Sequence, residues 1–224
     1  NRLGFMYQSG EGVEKDEKES FRLYMISAEM GYPKAQANVA TAYAYGIGVE
    51  ADDEKAIEWY TKALDNGFEE AMIGLGVFYL GKENKEDIEK GIAYLVQCAE
   101  QGYADAMHIL AMVYKGSAGV EVEKDIEKAI QWYTAAAEKG HADSQIDLAV
   151  TYLRGEYVPV DYEKAFALLS SAAEQGNADA LYYLGLIHED EESGRMDIKK
   201  ALEYYTAAAE QGETRAIMNI GLLY

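Results

Sequence analysis

Residues 34–68 read KAQANVATAYAYGIGVEADDEKAIEWYTKALDNGF, and the spacing of their apolar and turn residues decides the fold. Ala35, Val39, Ala40 and Tyr43 fall at i, i+4, i+5 and i+8, which is one face of a helix. Gly46-Ile47-Gly48-Val49 breaks that helix, because glycine supplies the backbone freedom of a turn. Asp52 is then placed to N-cap a second helix, with Glu54 in a first turn where the helix dipole favours negative charge. Ala56, Trp59, Tyr60 and Ala63 share one stripe of that helix, and Gly67 ends it as a left-handed C′ residue. The stretch is a helix–turn–helix.

Its landmarks recur along the chain. A closing glycine stands at Gly31, Gly67, Gly102, Gly140, Gly176 and Gly212, spaced 35 to 38 residues apart. An upstream acid keeps the same period at Asp16, Asp52, Asp87, Asp125, Asp161 and Asp197, each placed as an N-cap. A third series runs Tyr7, Tyr43, Tyr79, Tyr114, Tyr152, His188 and Tyr224. Ala35, Ala71, Ala106, Ala180 and Ala216, with Ser144 in the remaining unit, let backbones approach, and the aromatic residue eight positions on is expected to fill the gap beside each. One helix pair cannot bury its own apolar face, so the pairs must stack into a solenoid. The expected organisation is a single array: a part-unit at 1–33, complete pairs at 34–68, 69–103, 104–141, 142–177 and 178–213, and a part-unit at 214–224. Leu3, Phe5, Ile217 and Leu222 stand at the two ends where a polar cap would be, and Asn1 is not a start methionine; both suggest an excerpt of a longer array.

Composition narrows the partners. The 224 residues carry 20 Lys+Arg against 40 Asp+Glu, a net charge of −20, which disfavours nucleic acid and anionic membranes. One cysteine excludes an intrachain disulfide framework, and Cys98 occupies a small-residue position of a second helix. No uncharged apolar run is long enough to insert into a membrane. Nineteen tyrosines against five phenylalanines fit the repetition.

The motifs Gly46-Ile47-Gly48-Val49, Lys55-Ala56, Trp59-Tyr60, Lys128-Ala129-Ile130-Gln131-Trp132-Tyr133 and Ala136-Ala137-Glu138-Lys139-Gly140 resemble the Sel1-like repeat, a relative of the tetratricopeptide repeat. Tyr204 to Gly212 repeats the second-helix ending. The resemblance implies an all-α fold, a right-handed superhelical α-solenoid of Sel1-like helix–turn–helix repeats, with the first helix of each pair lining the concave side. Three loops depart from the pattern: Lys82-Glu83-Asn84-Lys85-Glu86 replaces the glycine turn, Gly116 and Gly119 are spread apart, and Glu189-Asp190-Glu191-Glu192-Ser193-Gly194 follows His188.

Chemical motifs are thin. Gly46-x-Gly48-x-x-Ala51 fits a dinucleotide fingerprint only formally, since it follows a helix where the fingerprint must follow a strand. His108, His141 and His188 lie in different units without metal-ligand spacing; His188 reads as a packing residue and His141 as a turn residue. The acidic run 189–192 lacks the alternation of a calcium loop. Some relatives are described as penicillin-binding or β-lactamase-like, which needs S-x-x-K, and no serine here has lysine three positions on. The expectation is therefore no catalytic residue, no cofactor and no metal.

The resemblance further implies ligand-facing side chains near i+2, i+3, i+6 and i+9 after the small residue of each first helix. The candidates selected from that register are Ile73, Val77, His108, Met112, Ile146, Val150, Tyr182, Tyr183 and Leu186. About half of the register positions are expected to pack against the next unit. The rest form an apolar and aromatic stripe in an acidic surround, suited to a protein or peptide with apolar anchors and basic flanks. Two readings stay open: a non-catalytic protein-interaction scaffold or adaptor, and a targeting or regulatory repeat region of a larger enzyme, signalling or envelope protein.

Overall fold

The structure, a computed structural model, describes residues 2–223. Tyr224, the end of the aromatic series, lies outside them. The described residues form thirteen α-helices and no strand: α1 (Arg2–Ser9), α2 (Glu17–Glu29), α3 (Pro33–Tyr45), α4 (Asp53–Asp65), α5 (Ala71–Leu80), α6 (Lys85–Glu100), α7 (Ala104–Lys115), α8 (Ile126–Glu138), α9 (Ala142–Arg154), α10 (Tyr162–Glu174), α11 (Ala178–Glu189), α12 (Ile198–Glu210) and α13 (Thr214–Leu223). A single 3-10 turn, Glu191–Ser193, follows α11. Two compact units result, α1–α6 up to Gln101 and α7–α13 from Gly102. Within each, the two helices of a hairpin pack on each other and each hairpin packs on the next, an all-α solenoid arrangement.

The start of each second helix is fixed by one residue acting twice. The Asp52 carboxylate accepts the Lys55 amide at 3.0 Å, while the Asp52 amide donates to the Tyr43 carbonyl at 2.9 Å. Asp16, Asp125, Asp161 and Asp197 repeat both bonds, with the carbonyls of Tyr7, Tyr114, Tyr152 and His188 as the backbone acceptors. Lys55, Lys128 and Lys164 add an ion pair to the capping aspartate and lie 5.2, 5.0 and 5.0 Å from the ring centres of Tyr43, Tyr114 and Tyr152. Asp87 departs from the expected series. Here Asn84 caps α6, its Oδ1 accepting the Asp87 amide at 2.9 Å and its Nδ2 donating to the Asp87 carboxylate at 2.6 Å. Without a glycine pair the chain re-enters helix sooner, so asparagine takes the cap and Asp87 moves into the first turn.

Packing within a hairpin pairs small with large. Tyr24, Tyr60, Tyr133 and Tyr205, all from second helices, are at most 3 % exposed, whereas Tyr43, Tyr79, Tyr114 and Tyr152 of the first-helix series are only half-buried. The residue facing each buried ring is small: Ala40 packs in the cluster of Tyr60 and Ala111 in that of Tyr133, and a side chain at Gly185 would strike the ring of Tyr205. In the 69–103 hairpin, where Leu95 holds the position of that buried ring, Gly76 faces Leu95. Ala35, Ala71, Ala106, Ser144, Ala180 and Ala216 are no more than 2 % exposed, as close approach requires. Buried glutamines tie successive hairpins: Gln36 Nε2 donates to the Ala28 carbonyl and Gln145 Nε2 to that of Ala137, each at 3.2 Å. Cys98 is buried, which pushes its thiol up to about 11.

Gly67 and Gly48 both hold positive φ, +82° and +69°, but in different surroundings. A Cβ at Gly67 would meet open space, while one at Gly48 would enter the Glu17 carbonyl and the Lys18 amide of α2. Gly67→Ala should therefore cost about 1–2 kcal/mol, the left-handed penalty alone, and Gly48→Ala roughly 3 kcal/mol or more because backbone must move. Urea unfolding measures both, and equal losses would contradict the close approach.

The Lys55, Lys128 and Lys164 amides, with their side chains, hold the Asp52, Asp125 and Asp161 carboxyls below their ordinary value. A carboxyl depressed in the folded state stabilises above its unfolded value and loses that contribution as pH falls through the folded one. Urea midpoints should fall below about pH 4, and less steeply when the three caps are replaced by asparagine; an unchanged slope would contradict the cap assignment.

Candidate functional site

The register positions divide by environment. Ile73 and Val77 on α5 belong to the first unit and are half-buried. In the second unit, His108 and Met112 lie on α7, Ile146 and Val150 on α9, and Tyr182, Tyr183 and Leu186 on α11. Ile146 is 9 % exposed and packs in the core with Leu169, Leu184 and Ile187, leaving little of it to meet a ligand. The other six are half-buried.

Four of them come together. Val150, Tyr182, Tyr183 and Leu186 line one open pocket of about 620 Å³, with Leu153 and Glu189, which hold the i+9 positions of the same two helices. Six positions projected from the register of α9 and α11 thus surround a single cavity. Tyr162, Ile187, Arg154, Asp190 and Arg215 complete the wall. The Tyr182 and Tyr183 rings meet edge to face at 5.3 Å, and the Arg215 guanidinium lies 4.5 Å from the Tyr182 ring centre.

Most charged groups on this wall are held in place. Glu213 binds Arg215 at 2.8 Å and Asp179 binds it from the preceding hairpin; Arg215 in turn draws the Glu213 carboxyl down to about 2. The Tyr205 hydroxyl donates to Glu189 Oε2 at 2.5 Å and accepts from Asn219 at 3.0 Å. The Tyr162 hydroxyl donates to Asp190 Oδ2 at 2.7 Å, and that carboxylate holds the phenol up at about 12. The two acids are oriented by neutral donors, so their negative charge remains to meet a cation.

His108 and Met112 lie outside this pocket. Met112 packs beside Ala111, Tyr133, Ala137 and Leu148. The His108 ring stacks on His141 at 4.7 Å, and its Nδ1 is 2.9 Å from Ser144 Oγ. Burial, helped by His141, lowers the His108 pKa against the opposing pull of Asp147, Asp143 and Asp105. His141, expected in a turn, is the N-cap of α9. Ser144, His141 and Asp105 follow one another as nucleophile, base and acid would, but Ser144 is 0 % exposed and cannot reach a substrate. His188, expected to replace tyrosine in packing, is 5 % exposed and stacks on Tyr204 at 5.5 Å. Among the described residues no group of three or more His, Cys, Asp or Glu side chains is arranged to hold a metal ion, and no helix is long and apolar enough to cross a membrane.

Sequence reasoning passed over Arg154, Tyr162, Ile187 and Arg215, and read Asp190 only as part of an acidic loop. One signal for Arg215 was available: it precedes Ala216 as Asp179 precedes Ala180, and opposite charges at one register of adjacent repeats meet. Tyr162 reaches the pocket from the first turn of a second helix, which no first-helix register selects.

Comparison with known proteins gives a consistent picture. The Sel1 repeat model matches residues 1–32, 33–68, 69–103, 104–141, 142–177 and 178–213. A crystal structure of a protective antigen present in uropathogenic Escherichia coli, displaying an SLR fold, is similar to this chain at 32% identity and a TM-score of 0.72, covering 100% of this chain and 48% of that one. This chain thus spans about half the length of that protein. A Sel1 repeat protein from Oxalobacter formigenes matches at 32% identity and a TM-score of 0.70, over 94% of this chain and 86% of its own. An immunity protein from Pseudomonas aeruginosa shares the fold at 22% identity and a TM-score of 0.59, over 93% and 81% of the two chains. No curated protein sequence matches the chain.

The second-helix tyrosines supply a test of the geometry. Tyr205→Phe strips Glu189 and Asn219 of a partner and should cost about 1–2 kcal/mol. The Tyr133 hydroxyl is buried and makes no hydrogen bond of good geometry among the described residues, with Ser117 and Asp147 interacting only weakly, so Tyr133→Phe should cost no more than about 0.5 kcal/mol. Thermal unfolding of the two variants separates these outcomes, and the reverse order would contradict the hydrogen-bond assignment.

Proposed function

The chain belongs to the Sel1 repeat family, whose members generally mediate protein–protein interaction, and from that premise we propose that it is a non-catalytic scaffold holding a partner segment on the inner face of its first helices. The observation that carries the reading is the convergence of six register positions of α9 and α11 on one pocket. Its chemistry suits an anchor residue. Val150, Leu153 and Leu186 offer apolar surface, and Tyr182 and Tyr183 offer ring surface with two rotatable side-chain bonds each, so little entropy is lost on binding.

Electrostatics select the neighbour of that anchor. Glu189 and Asp190 are oriented before binding, and the chain carries a net charge of −20. A lysine or arginine flanking the anchor is drawn in by the long-range field and met by those carboxylates. His108 and Met112, on α7 of the same unit, extend the proposed surface beyond the pocket, and Ile73 and Val77 hold the corresponding register within the first unit. The second reading, a repeat region within a larger enzyme, signalling or envelope protein, draws on the E. coli antigen being about twice as long as this chain. Both readings use the same pocket.

Selection of short random peptides displayed on phage against the chain tests the proposal. Enriched peptides should carry an aromatic or aliphatic anchor beside lysine or arginine, and rising ionic strength should weaken them. Tyr182→Ala should weaken binding at least about tenfold, and Met112→Glu should weaken it less, with helical content by circular dichroism retained in both. Undiminished binding to a folded Tyr182→Ala variant would contradict the site.

A further inference from the structure

The second unit contains a hydrogen-bonded chain with two imidazoles, at a place where one of them caps a helix. His141 Nδ1 accepts the Ser144 amide at 3.1 Å, so that nitrogen bears a lone pair and no proton. Its proton is then on Nε2, which faces Asp105 Oδ1 at 3.3 Å. The Ser144 hydroxyl lies 3.0 Å from His141 Nδ1 and 2.9 Å from His108 Nδ1. The hydroxyl thus bridges the two imidazoles, linking His108 through Ser144 and His141 to Asp105. With His141 neutral, its Nδ1 keeps the lone pair that accepts the Ser144 amide.

Adding a proton to His141 Nδ1 destroys the acceptor. The Ser144 amide, on a residue 0 % exposed, then has no cap, and a second imidazolium would stand 4.7 Å from the first. The groups facing the pair are Asp105 from α7, Tyr133 from α8, and Asp143 and Asp147 from α9, with Lys115 bound to Asp147 at 3.1 Å. Asp105 would favour a charged His141, but its side chain is 75% exposed, so solvent screens that attraction and it does not replace the lost cap.

We propose that the hydrogen-bonded His108–Ser144–His141 chain is an acid-sensitive cap that loosens the start of α9, and with it the α7–α9 seam, when the imidazoles take up protons. The next hairpin holds its own control. Asn177, at the same register before Ala180, caps α11 with Oδ1 on the Asp179 and Ala180 amides, a cap that does not titrate. Burial lowers the His108 pKa, so the folded state resists protonation more than the unfolded chain does. The sign follows: stability is retained above the unfolded histidine value of about 6.5 and is lost as pH falls through the folded one.

Amide hydrogen exchange of the full chain, corrected for intrinsic rates, tests this at about pH 7.5 and 5.5. Protection of the Ser144 amide should fall at least about tenfold relative to that of Ala180. His141→Asn should keep Ser144 protected at both values. Nitrogen NMR of the wild-type imidazoles needs no variant and should show the Nε2–H tautomer of His141 at the higher pH. Flat Ser144 protection in the wild type, a pH response that survives in His141→Asn, or a proton on Nδ1 would each overturn the proposal.

Discussion

One backbone hydrogen bond sets the geometry on which the rest depends. In five of the six hairpins the amide of the capping aspartate donates to the carbonyl of the aromatic residue ending the preceding helix. The same aspartate caps the next helix through its carboxylate, so the exit of one helix and the entry of the other are fixed by a single residue. Between those two points the loop can change. Asp161 reaches back nine residues to Tyr152 and Asp125 eleven to Tyr114, yet the two bonds have the same partners in the fold. The longer loop after Gly116 therefore leaves the hairpin unchanged.

With the hairpin angle fixed, packing follows from volumes. A buried second-helix tyrosine needs a small residue opposite, supplied as Ala40, Ala111 or Gly185, and where Leu95 takes the tyrosine's place the opposing residue is Gly76. The same tyrosines reach outward with their hydroxyls. Tyr60 meets Thr41 at 2.9 Å, and Tyr205 meets Glu189 at the edge of the pocket. Core packing and site electrostatics thus share a residue in the 178–213 hairpin, where Tyr205 is at once a buried ring and the group that aims a carboxylate.

What could be read in the sequence was whatever depends on local spacing. Gly31, Gly67, Gly102, Gly140, Gly176 and Gly212 all hold positive φ, and five of the six expected aspartates cap their helices, because both tasks are set by the few residues around them. Asp87 was misplaced because asparagine serves as well as aspartate in a cap, and the Asn84–Asp87 pairing carries no distinct spacing. Two tyrosine series share one period, so periodicity alone could not tell that the second-helix rings are buried and the first-helix rings half-buried. At the pocket, the register positions of α9 and α11 were legible, but Tyr162 and Arg215 arrive from neighbouring elements that only the stacking brings near. The His141 cap was hidden for the same reason: histidine caps helices seldom, and its tautomer is set by Ser144 and Asp105.

The aspartate clamp is the central claim, and the exchange rates of its own amides measure it directly. The amides of Asp16, Asp52, Asp125, Asp161 and Asp197 lie at the ends of loops yet each has a backbone acceptor. Native-state hydrogen exchange should find all five protected to nearly the level of helix interiors, while the flanking loop amides of Ala51, Lys124 and Met196 exchange freely. Aspartate amides exchanging as fast as those neighbours would contradict the account.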